Sequence, residues 1–106
     1  MKMRFALVLS LSLAATAYAE DTADVWKAKC KSCHGEDGAA KTKMGEKEKI
    51  PDMTSATWHK NHSDEKIREY IAEGSKKNPK MKPFKDKLTP EQIDSLVKHI
   101  RGMEAK

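Results

Sequence analysis

The pentapeptide Cys30-Lys31-Ser32-Cys33-His34 decides how the rest of this chain is read. Its spacing, C-x-x-C-H, is the attachment signature of a c-type haem. Each thiol can add across a haem vinyl group to form a thioether, and the histidine can direct a ring nitrogen at the iron. On a helix, positions i, i+3 and i+4 share one face, so Cys30, Cys33 and His34 would face the same flat group. The pentapeptide therefore predicts a covalently bound haem.

A C-x-x-C pair also occurs in structural disulfides, in redox-active dithiols and in zinc sites. A zinc site takes about four ligands. Beyond this motif the chain has three further histidines, His59, His62 and His99, at none of the zinc-finger intervals, and no further cysteine. A thioredoxin-like dithiol is expected in a βαβ context, and the chain shows no strand-like alternation. Haem attachment is the favoured interpretation, and a disulfide or dithiol is the main alternative.

Residues 1–19 have the features of a secretory signal peptide. They begin with two basic residues, continue with a mostly apolar run of 13 residues, and end in Ala17-Tyr18-Ala19, a small-x-small cleavage site. The apolar run is shorter than the about 20 residues that a membrane anchor needs. We therefore expect cleavage after Ala19, export to the periplasm without membrane insertion, and one folded domain over residues 20–106.

The chain that remains after cleavage is small and poor in apolar residues. Only 26 of its 87 residues, about 30 %, are of the types A, V, I, L, M, F, W, Y or C. A domain of this size is marginal unaided and usually needs a staple, which a covalently held haem supplies. Without Lys2 and Arg4 it has 19 basic and 16 acidic side chains, a net charge of +3. This charge gives no reason to expect nucleic-acid binding.

Three helices are predicted from periodic apolar residues and capping signals. The first covers about 22–33 and the second about 63–73. The last begins at a Thr89 N-cap, followed by proline and a capping box, and ends at Gly102. Residues 35–62 show no sustained period, so a loop that wraps a cofactor is expected there. The fold class is therefore all-α, with the apolar stripe of the last helix packed on the first helix.

A second motif, Asn78-Pro79-Lys80-Met81-Lys82-Pro83-Phe84, places one methionine between two prolines. We call residues 78–84 the Met81 strap. Each proline fixes its own φ and biases the residue before it toward extended conformations, so the strap is stiff and non-helical. A stiff loop lowers the entropic cost of binding a weak thioether ligand, and we predict that Met81 is the second axial ligand. Ligation by His59, His62 or His99 instead is the alternative left open.

Two residues of the middle segment are candidates for contact with the haem. A ligating histidine generally has its second ring N–H held by an acceptor, and the Pro51 carbonyl is the candidate acceptor for His34. Trp58 can pack on the haem or donate its indole N–H to a propionate. The neighbouring His59 and His62 are expected to lie in solvent.

With these motifs in this order, residues 21–102 resemble a small class I cytochrome c of the bacterial periplasmic kind. The most specific parts of the resemblance are Cys30–Gly35 and Met81–Ile93. The resemblance implies a cytochrome c fold of three to four helices around one haem, with the N- and C-terminal helices crossing near a right angle. His99 stands where many relatives have an aromatic residue that packs against the first helix. The resemblance also implies the residues that bind the haem: thioethers at Cys30 and Cys33, and axial ligands His34 and Met81.

The expected function is one-electron transfer between redox proteins by a monomer in the periplasm, and not catalysis. A His/Met pair leaves no open position on the iron and raises the reduction potential relative to two histidines. The lysines from Lys76 to Lys87 either serve solubility alone or dock an acidic redox partner. Two alternatives stay open: a haem protein that binds small ligands or reacts with peroxide through a labile Met81, and an electron-transfer subunit of a larger oxidoreductase.

Overall fold

The computed structural model describes residues 21–105, and all regular structure in this range is helical. The helices are α1 Thr22–Lys29, α2 Lys31–His34, α3 Lys43–Lys47, α4 Ala56–Asn61, α5 Asp64–Glu73 and α6 Pro90–Arg101. This confirms the all-α prediction. In the described range no helix is both long enough and apolar enough to span a membrane. The predicted signal peptide, and the domain boundary at residue 20, lie outside the described residues.

The predicted first helix is in fact two helices, separated at Cys30. Asp21 caps α1 by accepting a hydrogen bond from the Ala23 N–H at 3.1 Å. Cys30 leaves helical geometry, with φ −120° and ψ −35°, although its N–H still donates to the Trp26 carbonyl. Cys30 then acts as the N-cap residue of α2, so the C-x-x-C-H motif bridges two helices rather than lying on one.

Residues 35–62 contain two short helices, so the prediction of a continuous loop is wrong. The Thr42 hydroxyl begins α3 by accepting from the Gly45 N–H at 2.8 Å. The Ser55 hydroxyl begins α4 by accepting from the Trp58 N–H at 3.3 Å. Helices of five and six residues are too short to show a recognisable apolar period, which is why the sequence pattern did not reveal them.

The two longest helices begin where their capping residues predict. The Ser63 hydroxyl accepts from the Lys66 N–H at 3.1 Å at the start of α5. Thr89 and Gln92 form a complete capping box at the start of α6, with bonds of 2.8 and 3.1 Å between side chain and backbone. Each cap satisfies helix N–H groups that would otherwise lack partners.

The core lies where α6 packs against both α1 and α5. The predicted contact between the first and last helices is therefore confirmed, and His99 takes part in it: its ring lies 5.4 Å from that of Trp26. The His99 imidazole therefore packs against α1 in this chain. The buried residues of the core cluster are Val25, Trp26, Met53, Ile67, Ile71, Leu88, Ile93, Leu96, Val97 and Ile100.

Candidate haem site

The two cysteines of the motif lie half-buried at the junction of α1 and α2, and both thiols are free. Burial raises the pKa of the Cys30 thiol to about 11; the Lys29 charge lowers it and Cys33 adds to the rise. A redox-active dithiol works through a thiolate of depressed pKa. The environment of Cys30 has the opposite effect, so it does not favour the dithiol alternative.

His34, at the end of α2, has the polar atom most in need of explanation. Its Nδ1 is fully enclosed and has no hydrogen-bond partner, the one such side-chain atom in the described range. Burial lowers the pKa of His34, which favours the neutral imidazole that metals bind. The Trp26 ring lies beside it, with ring centroids 5.8 Å apart. A buried polar atom without a partner is rare in folded proteins. Because Nδ1 is enclosed, His34 would bind a haem iron through its other ring nitrogen, Nε2.

The backbone under the motif is held from two sides. The Trp26 Nε1–H donates to the Gly35 carbonyl at 3.0 Å in a buried bond. The Thr42 hydroxyl donates to the Cys33 carbonyl at 2.7 Å. A side chain at Gly45 would overlap with backbone carbonyl groups, that of Cys33 among them at 2.8 Å, so α3 approaches α2 at backbone distance. These contacts fix the positions from which Cys33 and His34 project.

Met81 is half-buried and packs against the core cluster. Its N–H donates to the Asn78 carbonyl at 3.0 Å, and its own carbonyl accepts from the Ser75 N–H at 3.0 Å. Gly74, at φ +79°, lets the chain pass so close that an added Cβ would lie 2.6 Å from the Met81 carbonyl oxygen. Beyond Met81, the Phe84 N–H donates to a carbonyl group of α5. The strap is therefore fastened to α5 at its Phe84 end and, through Met81, to Ser75 just beyond the end of α5.

The middle segment differs from the sequence expectations in two ways. Pro51 is exposed, and the hydrogen bond that we expected between its carbonyl and His34 is not formed, since the His34 Nδ1 has no partner. His59 and His62 do not lie in solvent. His59 is buried, and the His62 ring stacks on Trp58 with centroids 4.5 Å apart and planes 20° apart. Trp58 itself is half-buried against the core cluster.

Arg101, the last residue of α6, organises this segment and was missed by the sequence reasoning. Its Nε donates to Asp64 at 2.7 Å, and its Nη2 donates to the His62 carbonyl at 2.6 Å. Its Nη1 donates to the His59 Nδ1 at 3.0 Å, while the His59 Nε2–H donates to the Met53 carbonyl at 2.6 Å. Both ring nitrogens of His59 are therefore satisfied, which explains its burial. No local signal in the sequence connects residues 59 and 101.

The comparison with known proteins agrees with this site. A family model described as cytochrome C oxidase, cbb3-type, subunit III matches residues 17–100. The chain belongs to this family of c-type cytochromes. The solved structure of the KustC0563 c-type cytochrome is 40 % identical to this cytochrome with a TM-score of 0.73, covering 80 % of this chain and 99 % of that chain. A Kustc0563 mutant, also 40 % identical, has a TM-score of 0.70 and covers 79 % and 99 %. A search of curated proteins gave no match.

As a c-type cytochrome, the protein carries covalently bound haem c with its iron and transfers electrons. The residues described above fit such a group. Two free thiols and a half-buried histidine lie within one five-residue segment, and the Met81 strap offers a thioether that packs against the core cluster. The helices thus supply both the attachment chemistry and candidate ligands for the iron.

Proposed function

We propose that this cytochrome is a one-electron carrier of the periplasm, with its haem attached to Cys30 and Cys33 and its iron bound by His34 and Met81. The observation that supports this most is that α2 brings both cysteines and the histidine together: Cys30 is its N-cap residue, and Cys33 and His34 lie within it. The haem, when bound, supplies an iron that changes between Fe(II) and Fe(III) by one electron. Residues of the chain do the rest: they attach the haem and supply the ligands to its iron.

The assignment of the thioethers follows from the cysteine count. Covalent attachment of haem c uses thiols, and the chain has only two, Cys30 and Cys33. Cys30 and Cys33 would hold the haem as thioethers, formed by addition of each S–H across a vinyl group, which needs no leaving group and no oxidant. Replacing either cysteine with serine should leave one thioether, which mass spectrometry of the denatured protein and its haemochrome spectrum would detect.

We propose His34 and Met81 as the ligand pair because of the chemistry of their side chains and because of the bonds that hold the Met81 strap. Burial lowers the pKa of His34, which favours the neutral imidazole that binds either oxidation state of iron. Met81 offers a thioether, and its strap is bonded to Ile71 of α5 and to Ser75 just beyond it, so we expect it to keep its place when the charge on the iron changes. A centre that rearranges little on oxidation favours fast outer-sphere transfer, and a thioether ligand raises the reduction potential.

An optical spectrum of the oxidised protein, beside that of Met81→Ala, tests the ligand pair. A weak far-red charge-transfer band that is present in the wild type and lost in Met81→Ala is the expected result. A low-spin spectrum without the band would assign the sixth position to a histidine. A high-spin spectrum, together with carbon monoxide binding to the reduced protein in the absence of denaturant, would replace the carrier by a ligand-binding or peroxidatic haem protein.

The lysines around the Met81 strap support docking to an acidic redox partner. Two of them, Lys80 and Lys85, form ion pairs with glutamates at 2.5 and 3.1 Å. The others are exposed and form no ion pair within the described part of the chain: Lys76, Lys77, Lys82 and Lys87. These positive charges should attract an anionic oxidant such as hexacyanoferrate(III) at low ionic strength. Oxidation rates that do not fall with added salt, or that do not change when these four lysines become glutamine, would contradict the proposed docking.

The family description favours a second candidate function. Because the matching family model is described as an oxidase subunit, the second candidate is an electron-transfer subunit of a larger oxidoreductase. Cell fractionation separates the two: a free carrier is recovered as a monomer in the periplasmic fraction, with Glu20 as its first residue. A subunit is recovered together with its oxidoreductase. N-terminal sequencing of the same sample tests the predicted cleavage after Ala19.

A further inference from the structure

One ion pair joins the Met81 strap to the end of α3, the helix that packs against the His34-bearing helix α2. The Lys80 Nζ lies 2.5 Å from the Glu48 carboxylate and 3.9 Å from the Met44 Sδ. Lys80 directly precedes Met81, whereas Met44 lies within α3 and Glu48 caps its end. The pair therefore connects segments that are more than 30 residues apart in sequence: the Met81 strap and α3, the helix that packs against the His34-bearing α2.

The Glu48 end of this pair is fixed relative to the cysteines and His34. The helix that Glu48 caps, α3, approaches α2 at backbone distance through Gly45, and Thr42 ties its start to the Cys33 carbonyl at 2.7 Å. Because of this hydrogen bond and this close backbone contact, we expect a displacement of Glu48 to displace α2 as well. No long flexible loop intervenes between them.

The strap end of the pair is equally well connected. The Asn78 side chain accepts from the Lys80 N–H at 3.0 Å, and the Asn78 backbone carbonyl accepts from the Met81 N–H at 3.0 Å. The hydrogen bond from Lys80 holds the pKa of Glu48 below its usual value, with a smaller contribution from Asn78. The Glu48 side chain is 21 % exposed, the lowest value among the acidic partners of ion pairs in the described range.

We propose that Glu48 is a positioning residue that acts through Lys80 to keep Met81 on the iron. The proposal rests on the His34/Met81 ligand pair proposed above. The strap is attached to α5 by its backbone, and the Glu48–Lys80 pair adds an attachment to the His34 side of the site. Because a thioether binds ferric iron weakly, restraints on the strap decide how often Met81 leaves. Release of the pair should raise the fraction of protein in which the sixth position is open.

Titration of the ferric holoprotein with imidazole measures this opening, because imidazole takes the sixth position when Met81 leaves it. The test variant is Glu48→Gln, and the matched control is Glu73→Gln. Glu73 also pairs with a lysine next to the strap, Lys85 at 3.1 Å, but it lies on α5, where the strap is already attached. Both substitutions remove one negative charge that is paired with a lysine of the same cluster.

We expect Glu48→Gln to bind imidazole about two- to five-fold more tightly than the wild type, in line with the modest strength of ion pairs near the surface. Glu73→Gln should match the wild type. Lys80→Gln should reproduce the effect from the other side of the pair, and the double variant with Glu48→Gln should add little to either single change.

The outcomes separate the two proposals. If the wild type shows no far-red charge-transfer band, Met81 is not a ligand, and both proposals fail. If the band is present but Glu48→Gln and Glu73→Gln bind imidazole equally, the ligand pair stands and the role of Glu48 is overturned. It is also overturned if Glu48→Gln lowers the urea midpoint while imidazole affinity stays at the wild-type value, because the pair would then serve stability alone.

Discussion

The substitution Gly74→Ala asks whether the backbone at the end of α5 sets the position of the Met81 strap. Gly74 has φ +79° and ψ −179°, a region that is essentially restricted to glycine. An alanine Cβ would lie 2.6 Å from the Met81 carbonyl oxygen and 3.1 Å from the Pro83 nitrogen. Both contacts are with backbone atoms, which cannot rotate away as the end of a flexible side chain could.

The expected loss of stability has two parts. Holding alanine in this conformation costs about 1–3 kcal/mol. The Met81 carbonyl must also retreat, and the same oxygen accepts a hydrogen bond from the Ser75 N–H at 3.0 Å. Weakening that bond adds about 1 kcal/mol. We therefore expect Gly74→Ala to lower the free energy of unfolding by about 2–4 kcal/mol and to weaken the far-red charge-transfer band, because Met81 moves with its carbonyl.

Urea unfolding of the oxidised holoprotein, followed by far-ultraviolet circular dichroism and by the charge-transfer band, measures both effects. Gly102→Ala is the control, since Gly102 has an ordinary helical φ of −67° and the nearest atom to an added Cβ is the His99 carbonyl oxygen at 3.3 Å. It should change stability by less than about 1 kcal/mol. A Gly74→Ala protein with the stability of the control and a full charge-transfer band would refute the reasoning.

Three further predictions concern the Trp26 hydrogen bond, the contacts of Arg101 and the chain without haem. Trp26→Phe removes the buried hydrogen bond to the Gly35 carbonyl and should lower the unfolding free energy by about 1–3 kcal/mol; an unchanged urea midpoint would contradict this. Arg101→Gln removes the hydrogen bonds to His59 and to the carbonyl end of α4, so it should reduce the near-ultraviolet circular dichroism signal of Trp58. Arg101→Lys should recover little of this signal, because lysine lacks the planar guanidinium fork. The chain without haem should show little helical circular dichroism, because it is too small and too polar to fold well unaided; cooperative, native-like melting would show the opposite.

The capping residues in the sequence predicted where α5 and α6 begin. Ser63 and Thr89 begin α5 and α6 as expected, since a hydroxyl at the N-cap satisfies an N–H group of the first turn whatever lies further away. The short helices α3 and α4 have similar caps, at Thr42 and Ser55. They were missed because a cap without a following apolar period is also compatible with a turn.

Sequence reasoning could propose the parts of the candidate site that are continuous in the chain, and it missed the contacts between residues that are far apart in sequence. The C-x-x-C-H motif and the strap are each continuous in sequence, so their spacing carries the information. The partners of His59 are an arginine 42 positions away and the Met53 carbonyl. Polarity alone placed His59 in solvent, yet a histidine with both ring nitrogens bonded can be buried at little cost. Such a pairing is a property of the folded chain and has no pattern in the sequence.

The apolar side chains proposed to meet the haem lie at the edge of the core, not inside it. Cys30, Trp58 and Met81 each pack against the core cluster, yet each remains only half-buried. A flat apolar group held against their outer sides would remove the rest of their surface from water, at about 25 cal/mol per Å², without moving a helix. The core between α1, α5 and α6 thus positions the proposed attachment points, and a haem bound there would complete their burial. Burial shared between the helical core and a haem explains how a chain with so few apolar residues can form a stable domain. It also explains why the C-x-x-C-H motif is not among the buried residues of the core.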